Sequence, residues 1–383
     1  MNAFTSQFAP VLSTAAKHAA EVDEVGRFPA ETLSALRSTR LLGSMVPRDL
    51  GGEGASLAAT MEVCQALGAC CGASGMILAM HQIQVACLLS HAQHHPWHRA
   101  LLRRIADEQL LLASVTSEAT TGGNLRTSDC TPVLNGERFR ISKDGPTVSY
   151  AKEADVLLVT VRRAEDAHRS DQQLIAVLRQ DAQIEVVSRW DTLGMRGTCS
   201  HAVNLRAEGL SCQILDASFG EIAERTMVPV SHLLWGAVWT GIASDAQARA
   251  RAWLRRSMRQ GGSASHRGAH HLTEISGLLQ TMQVRLRNAA LDYEAMHGAQ
   301  DESSPSRAAV TNLLKIDLSE TALRIALLAM RVCGMAGYRN GTDFSLGRHL
   351  RDLQSAPLMI NNDRIAADTA TLLVAQRSSF LQG

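Results

Sequence analysis

Residues 111–145, LLASVTSEATTGGNLRTSDCTPVLNGERFRISKDG, hold the densest set of groups suited to meet a flat polar ligand. An apolar run ends in Val115, Thr116 and Ser117; Gly122 and Gly123 follow, then an Asn135-Gly136 turn and a second strand bearing Ser142. Hydroxyls and bare glycine backbone between two short strands suit a planar, polar-edged heterocycle, whose rim atoms need donors and acceptors close by. The same pattern also suits an ordinary Gly/Thr/Ser loop of a β unit. Three further side chains have proton-moving chemistry. His232 follows Pro229 at the expected start of a helix, where the helix dipole holds an imidazole neutral and able to accept a proton. His81, on the apolar face AMHQIQVAC, reads on its own as a core histidine, and Asp363 beside Arg364 reads equally as a helix-start cap or ion pair.

The elements that must position these groups change period twice along the chain. Residues 5–24 and 29–41 carry apolar side chains three and four apart, with Pro29 at a helix start and Gly43 after a stop. Residues 56–91 are rich in Ala, Leu and Met and poor in charge, so they must be covered nearly all round, with Gly68, Gly72 and Gly75 dividing them or permitting close packing. From 111 to about 215, segments such as DVLLVTVRR, QQLIAVLR and HAVNLRAEG read as strands between turn signals. Helical spacing then returns over 227–258, 268–298, 306–333 and 364–381, and short connections between long helices favour antiparallel neighbours.

Composition narrows the function. A chain of 383 residues is long enough for two or three packed units, and its formal charge of +1 with no basic stripe makes nucleic acid and anionic membranes poor partners. The eight cysteines lie mostly in apolar segments with no CxxC pair, which points to reduced, buried thiols and to no metal site. The N-terminus lacks the features of a signal peptide, and no later run approaches the length of a membrane span, so a cytoplasmic location is expected.

Five segments in order, VPRDLGGEGAS, TSEATTGG, FRISKDG, LGMRGTCS and CGMAGYRNG followed by LGRHLRDLQSA, resemble successive landmarks of the acyl-CoA dehydrogenase superfamily. The resemblance implies a mainly α fold with a central β-domain: an N-terminal helical domain over 1–110, a middle β-barrel domain over 111–220 and a C-terminal four-helix bundle over 221–383. It also implies FAD, with FMN as the alternative, held between the last two, and a homodimer or homotetramer. Thr116 and Ser117 then fall where the family bonds the isoalloxazine edge, and Ser142 where a hydroxyl faces N5. Gly122 and Gly123 fall in the turn near the pyrophosphate or substrate, Gly123 replacing the more usual serine, and Gly334 to Gly337 fall where one subunit meets its neighbour's adenine. Donors aimed at the ring's N1–C2=O edge and N5 stabilise the charge of a reduced flavin.

Two departures qualify the resemblance. The family's catalytic glutamate corresponds to Ile360, and its alternative position on the first bundle helix to Ser231 and His232, so neither offers a carboxylate. The Arg-x-x-Phe-Gly segment that contacts pyrophosphate is missing from RQGGSASHRGAHH, where Arg259 or Arg267 would have to stand in. The favoured reading is oxidation of an acyl thioester, on coenzyme A or a carrier protein, with hydride passing to FAD and with His232, or else Asp363, as a relocated base. Electrons would leave to an electron-transfer flavoprotein or to oxygen. A reduced-flavin monooxygenase is the second reading: the resemblance there implies a histidine at His81 and a serine at Ser142 near the flavin, although Met359 or a neighbour replaces a second histidine. A non-catalytic flavin-binding homologue is the third.

Overall fold

Helix α1 (Ala9–Val25) buries Val11, Ala15, Ala19 and Val22, a stripe spaced by four and three that packs on one side only. The computed structural model describes residues 8–121, 124–260, 268–296 and 305–375. After α2 (Ala30–Ser38), the apolar stretch forms α3 (Leu57–Cys70) and α4 (Gly72–His91), separated at Cys71, whose backbone is extended. Ser56 caps α3 by accepting from the Ala59 amide at 3.1 Å. Against the expectation from sequence, α4 at 20 residues is long and apolar enough to cross a bilayer, but 89 % of that window is buried inside the protein. It is a core helix, wrapped by its neighbours. Helix α5 (Pro96–Glu108) ends at Gln109, which sits at φ 55° and uses its side chain to close the turn, accepting from Leu42 N and donating to Ala106 O.

Seven strands follow: β1 (Leu112–Val115), β2 (Val133–Asn135), β3 (Arg138–Val148), β4 (Val156–Arg162), β5 (Gln172–Leu178), β6 (Ala182–Ser188) and β7 (His201–Leu210). They form two sheets, ordered β1-β4-β5 and β2-β3-β7-β6. All pairs are antiparallel except β1 with β4. The β4 residues Val156–Val161 are buried without a break, while β3 alternates buried and exposed, so β4 lies inside the unit and β3 turns one face out.

The chain returns to helix at α6 (Phe219–Ile222), passes through a π turn at Ala223–Met227, and enters α7 (Val228–Arg259). Helices α8 (Ala269–Met296), α9 (Pro305–Cys333) and α12 (Asn362–Ala375) complete the bundle, with the short α10 (Met335–Tyr338) and α11 (Gly347–Gln354) between the last two. Every residue of α7 from Val230 to Ala243 is buried. Helices α3 and α4 pack on it from one side, α8 and α9 from the other. A Cβ on Gly241 would lie 2.0 Å from the Gln65 carbonyl oxygen of α3, and one on Gly68 would lie 2.6 Å from the Val238 carbonyl oxygen. The two landmark segments LGMRGTCS and LGRHLRDLQSA meet as well, because the Asp352 carboxylate accepts the Met195 amide at 2.7 Å and Arg351 donates to the Leu193 carbonyl at 3.2 Å.

Gly241→Ala should therefore lower stability by about 1–3 kcal/mol, the scale of an overpacked core. Gly277→Ala, on an open stretch of α8 with nothing within 4 Å of the new Cβ, should raise it by about 0.5–1 kcal/mol. Denaturant titration of both variants checks the pair; equal effects would mean that α3 and α7 do not depend on this close approach.

Candidate active site

The hydroxyl-bearing stretch is split between the two sheets. Thr116 and Ser117 follow directly on β1, both half-buried, and the Ser117 hydroxyl donates to the Thr147 carbonyl of β3 at 2.9 Å. Ser142 stands on the outward face of β3 in line with Arg140 and Asp144, opposite Arg206 of β7. Its hydroxyl bonds no other described residue, and Thr116 has only a 3.5 Å contact with Ser114. These open hydroxyls, beside a strand face carrying arginines, fit the edge of a flavin ring in donor chemistry. Gly122 and Gly123 lie outside the described residues.

Beneath this face lies a polar weld. Lys143, next to Ser142, is fully buried and donates to the Thr160 carbonyl at 2.6 Å and the Thr160 hydroxyl at 2.7 Å, while pairing with Glu118 at 2.8 Å. Glu118, next to Ser117, also accepts from the Ser128 hydroxyl and from the Asp129 amide at 2.7 Å. Burial pulls the Lys143 ammonium below its ordinary pKa; on Glu118 burial pushes up, but Lys143 and the other donors outweigh it and hold the carboxyl low. Through these bonds the two side chains tie the chain after β1 to β3 and β4.

The second collection of groups is a row on α7. His232, Trp235 and Trp239 fall at i, i+3 and i+7, one helix face, with ring centroids 6.3 and 6.5 Å apart along the row. His232 Nδ1 lies 3.2 Å from the Thr311 carbonyl of α9, so Nδ1 carries the proton and Nε2 is a bare acceptor. Among the described residues, Nε2 is buried without a hydrogen-bond partner, as are the indole nitrogens of Trp235 and Trp239. Burial, with the nearby Lys315 charge, holds the imidazole down to about 4. The expected cause was a helix N-terminus, and that is corrected: helix runs continuously from α6 through the π turn into α7, so no free end faces His232. Pro229 is accommodated because the carbonyl it cannot engage, that of Arg225, accepts from the Tyr293 hydroxyl at 3.4 Å.

The other sequence candidates do not join this row. His81 is fully buried with both ring nitrogens engaged: the Leu112 amide donates to Nδ1 at 3.0 Å and Nε2 donates to the Leu42 carbonyl at 2.8 Å. A proton-moving role for His81 is not what this geometry offers; it binds α4 to the start of β1, at the opposite end from Thr116. Asp363 is exposed on the first turn of α12, its amide held by the Asn361 side chain at 2.7 Å, a helix-start arrangement away from the buried face. Gly334 takes φ 55° ahead of α10 with nothing within 4 Å of a Cβ, and Gly337 is buried. Arg259 ends α7 exposed, and Arg267 lies outside the described residues.

Sequence reasoning passed over Lys315, Trp235, Trp239 and the Glu118–Lys143 pair. The sequence signal for Lys315 is a lysine beside the buried stripe Leu314, Leu318 and Ala322 of α9; it too is fully buried, and burial pulls it down to about 8.

Residues 7–116 match the family described as acyl-CoA dehydrogenase, N-terminal domain, and residues 223–360 match acyl-CoA dehydrogenase, C-terminal domain. The probable acyl-CoA dehydrogenase FadE25 of Mycobacterium tuberculosis is 25 % identical over 91 % of this chain and 88 % of its own length. The 3-sulfinopropanoyl-CoA desulfinase of Paraburkholderia xenovorans is 23 % identical over 97 % of this chain and 93 % of its own. Among solved structures, TdsC from Paenibacillus sp. A11-2, a dibenzothiophene monooxygenase seen with FMN and indole, superposes with a TM-score of 0.86 at 18 % identity, covering 98 % of both chains.

Two outcomes follow from the buried charges. Lys143→Met should cost about 3–5 kcal/mol, because it leaves Glu118 buried without its cation, whereas Glu118→Gln with Lys143→Met should cost clearly less. Chemical denaturation compares the two; an equal loss would mean that the charge pair is not what holds the strands. Stability should also fall on acidification. His81 and His232 sit at about 4 when folded against 6.5 unfolded, so the unfolded chain binds the extra protons between those values. Asp352, pushed up to about 6 by burial, works in the opposite direction over the same interval, since its folded form keeps the proton longer. Two histidines outweigh one carboxyl, and His81→Gln should flatten the slope measured from pH 6.5 to 4.

Proposed function

The chain belongs to the acyl-CoA dehydrogenase superfamily, and on that premise we propose that it oxidises an acyl thioester, with His232 as the proton acceptor in place of the family's glutamate. The observation that carries this reading is the bare, unpartnered Nε2 of a buried His232 on the first bundle helix. Thr311 fixes the tautomer by accepting a hydrogen bond from Nδ1–H, and burial keeps the ring neutral at physiological pH, so the acceptor form is the resting form. The Trp235 and Trp239 indole N–H groups on the same face are donors for substrate oxygen atoms. Thr116, Ser117 and Ser142 would hold the flavin, FAD or alternatively FMN, which when bound supplies the hydride acceptor. Ser142, with no other bond to satisfy, is free to turn its hydroxyl toward the ring.

A reduced-flavin monooxygenase is the second reading. It is favoured by the likeness in fold to the dibenzothiophene monooxygenase TdsC and by the open Ser142 hydroxyl. The engagement of both His81 nitrogens removes one of the features on which it rested. On either reading we place the protein in the cytoplasm, as a homodimer or homotetramer in which Gly334 to Gly337 meets a neighbour. An electron-transfer flavoprotein or oxygen then takes the electrons.

Anaerobic mixing of holoprotein with pentanoyl-CoA should bleach the flavin, and His232→Gln should slow that step by about a hundredfold, the scale of a lost general base, with flavin content unchanged. The rate should be flat above pH 5 and fall as the pH drops through about 4, since only neutral His232 accepts the proton. A tolerated His232→Gln, together with oxygenation of indole by reduced holoprotein in air, would hand the assignment to the monooxygenase reading.

A further inference from the structure

The Lys315 ammonium, fully buried on α9, makes three hydrogen bonds, and all three go to one short segment: the Ala356 carbonyl at 3.1 Å, the Ile360 carbonyl at 2.9 Å and the Asn362 Oδ1 at 2.6 Å. It lies 5.8 Å from the centroid of Trp239, on the polar row of α7, and Thr311, one turn before it on α9, holds His232. Taking an ammonium out of water carries a desolvation penalty that well-placed acceptors offset at best. A lysine here therefore contributes specificity, a fixed place for the segment, more than net stability. The segment would not adopt this shape unaided. Ile360 has φ 48°, a left-handed conformation that a β-branched side chain strongly disfavours, and its carbonyl is one of the three acceptors. Asn362 adds a second fastening, donating from Nδ2 to Ser319 at 3.0 Å and to Glu320 at 2.8 Å.

The polar row of α7, which Lys315 adjoins at Trp239, holds three buried polar atoms, His232 Nε2 and the two indole nitrogens, that have no hydrogen-bond partner among the described residues. Each such buried group weakens the closed arrangement while it stays unsatisfied. A closed arrangement that leaves all three unsatisfied is poised to exchange for one in which a ligand meets them. We infer that residues 355–362 form a lid over the polar row of α7 and that Lys315 is the positioning residue that latches it. What enters beneath the lid rests on the function proposed above, an acyl group with oxygen atoms to offer the indoles; the latch itself does not.

Holoprotein, Lys315→Met and Asn362→Ala are compared by amide exchange and by diethyl pyrocarbonate modification of His232, mapped by mass spectrometry. Neither readout needs a substrate. Both variants should speed exchange in 355–362 at least tenfold, leave α8 amides unchanged, and raise carbethoxylation of His232 at least tenfold. In flavin reduction by pentanoyl-CoA, loosening the lid should lower kcat at least tenfold without altering flavin content. Exchange that rises equally throughout the bundle would reduce Lys315 to a general stabiliser. An unchanged His232 reactivity would mean that the segment does not cover it. Either result overturns the inference, and if Lys315→Met does not fold, Asn362→Ala alone decides. Should pentanoyl-CoA fail to bleach the wild-type flavin while the exchange and modification results hold, only the proposed reaction falls.

Discussion

The first half of α7 has no side turned to water, and most of the structure follows from that. A helix buried all round must meet each neighbour at a distance its side chains permit, which is why its contact with α3 runs through glycines and bare backbone. Any polar side chain on it must find its partner inside the protein or go without. Ser231 and Thr240 turn back onto the helix, donating to Met227 O and Gly236 O. His232 finds half a partner in Thr311, and the indoles of Trp235 and Trp239 find none. The chemistry of the bundle collects on the one face where internal satisfaction is incomplete.

The β unit solves a different problem. Two sheets of three and four strands share an interior, and apolar packing alone permits them to slide. The Glu118–Lys143 pair crosses that interior and is satisfied on both sides by Thr160, Ser128 and the Asp129 amide. An ion pair so placed adds little net stability, but it admits one arrangement. Because its members adjoin Ser117 and Ser142 in sequence, the arrangement it selects is the spacing of the hydroxyls above it.

The helices were legible in the sequence because their periodicity is local: Val228–Arg259 and Pro305–Cys333 fall within a residue of the segments read from spacing. Pairing β1 in parallel with β4 was not, since that contact is decided by a core assembled from distant segments. The candidate site divides along the same line. Residue type marked His232 for attention, but its tautomer and neutrality come from Thr311 and burial, neither of which adjoins it in the chain. Lys315 looked like one more surface lysine, because nothing local shows that three oxygens from residues some forty positions later converge on it. His81 was legible in part: the apolar face around it marked a core histidine, but not which backbone groups its two ring nitrogens join.

The π turn at Ala223–Met227 carries a consequence for how this helix tolerates length changes. A π turn accommodates one more residue than an α turn in the same span, and each α-helical residue rotates the chain by about 100°. Deleting a single residue from the turn would therefore let regular helix close up with the segments on either side still in phase, because the wider π turn spreads the same rotation over one more residue. The row from His232 to Trp239 would keep its place, and what the deletion would disturb is the turn itself, where the Thr226 hydroxyl meets His91 of α4 at 2.8 Å. The extra residue is thus an insertion absorbed in place, carried by the turn without altering the face that α7 shows to α9.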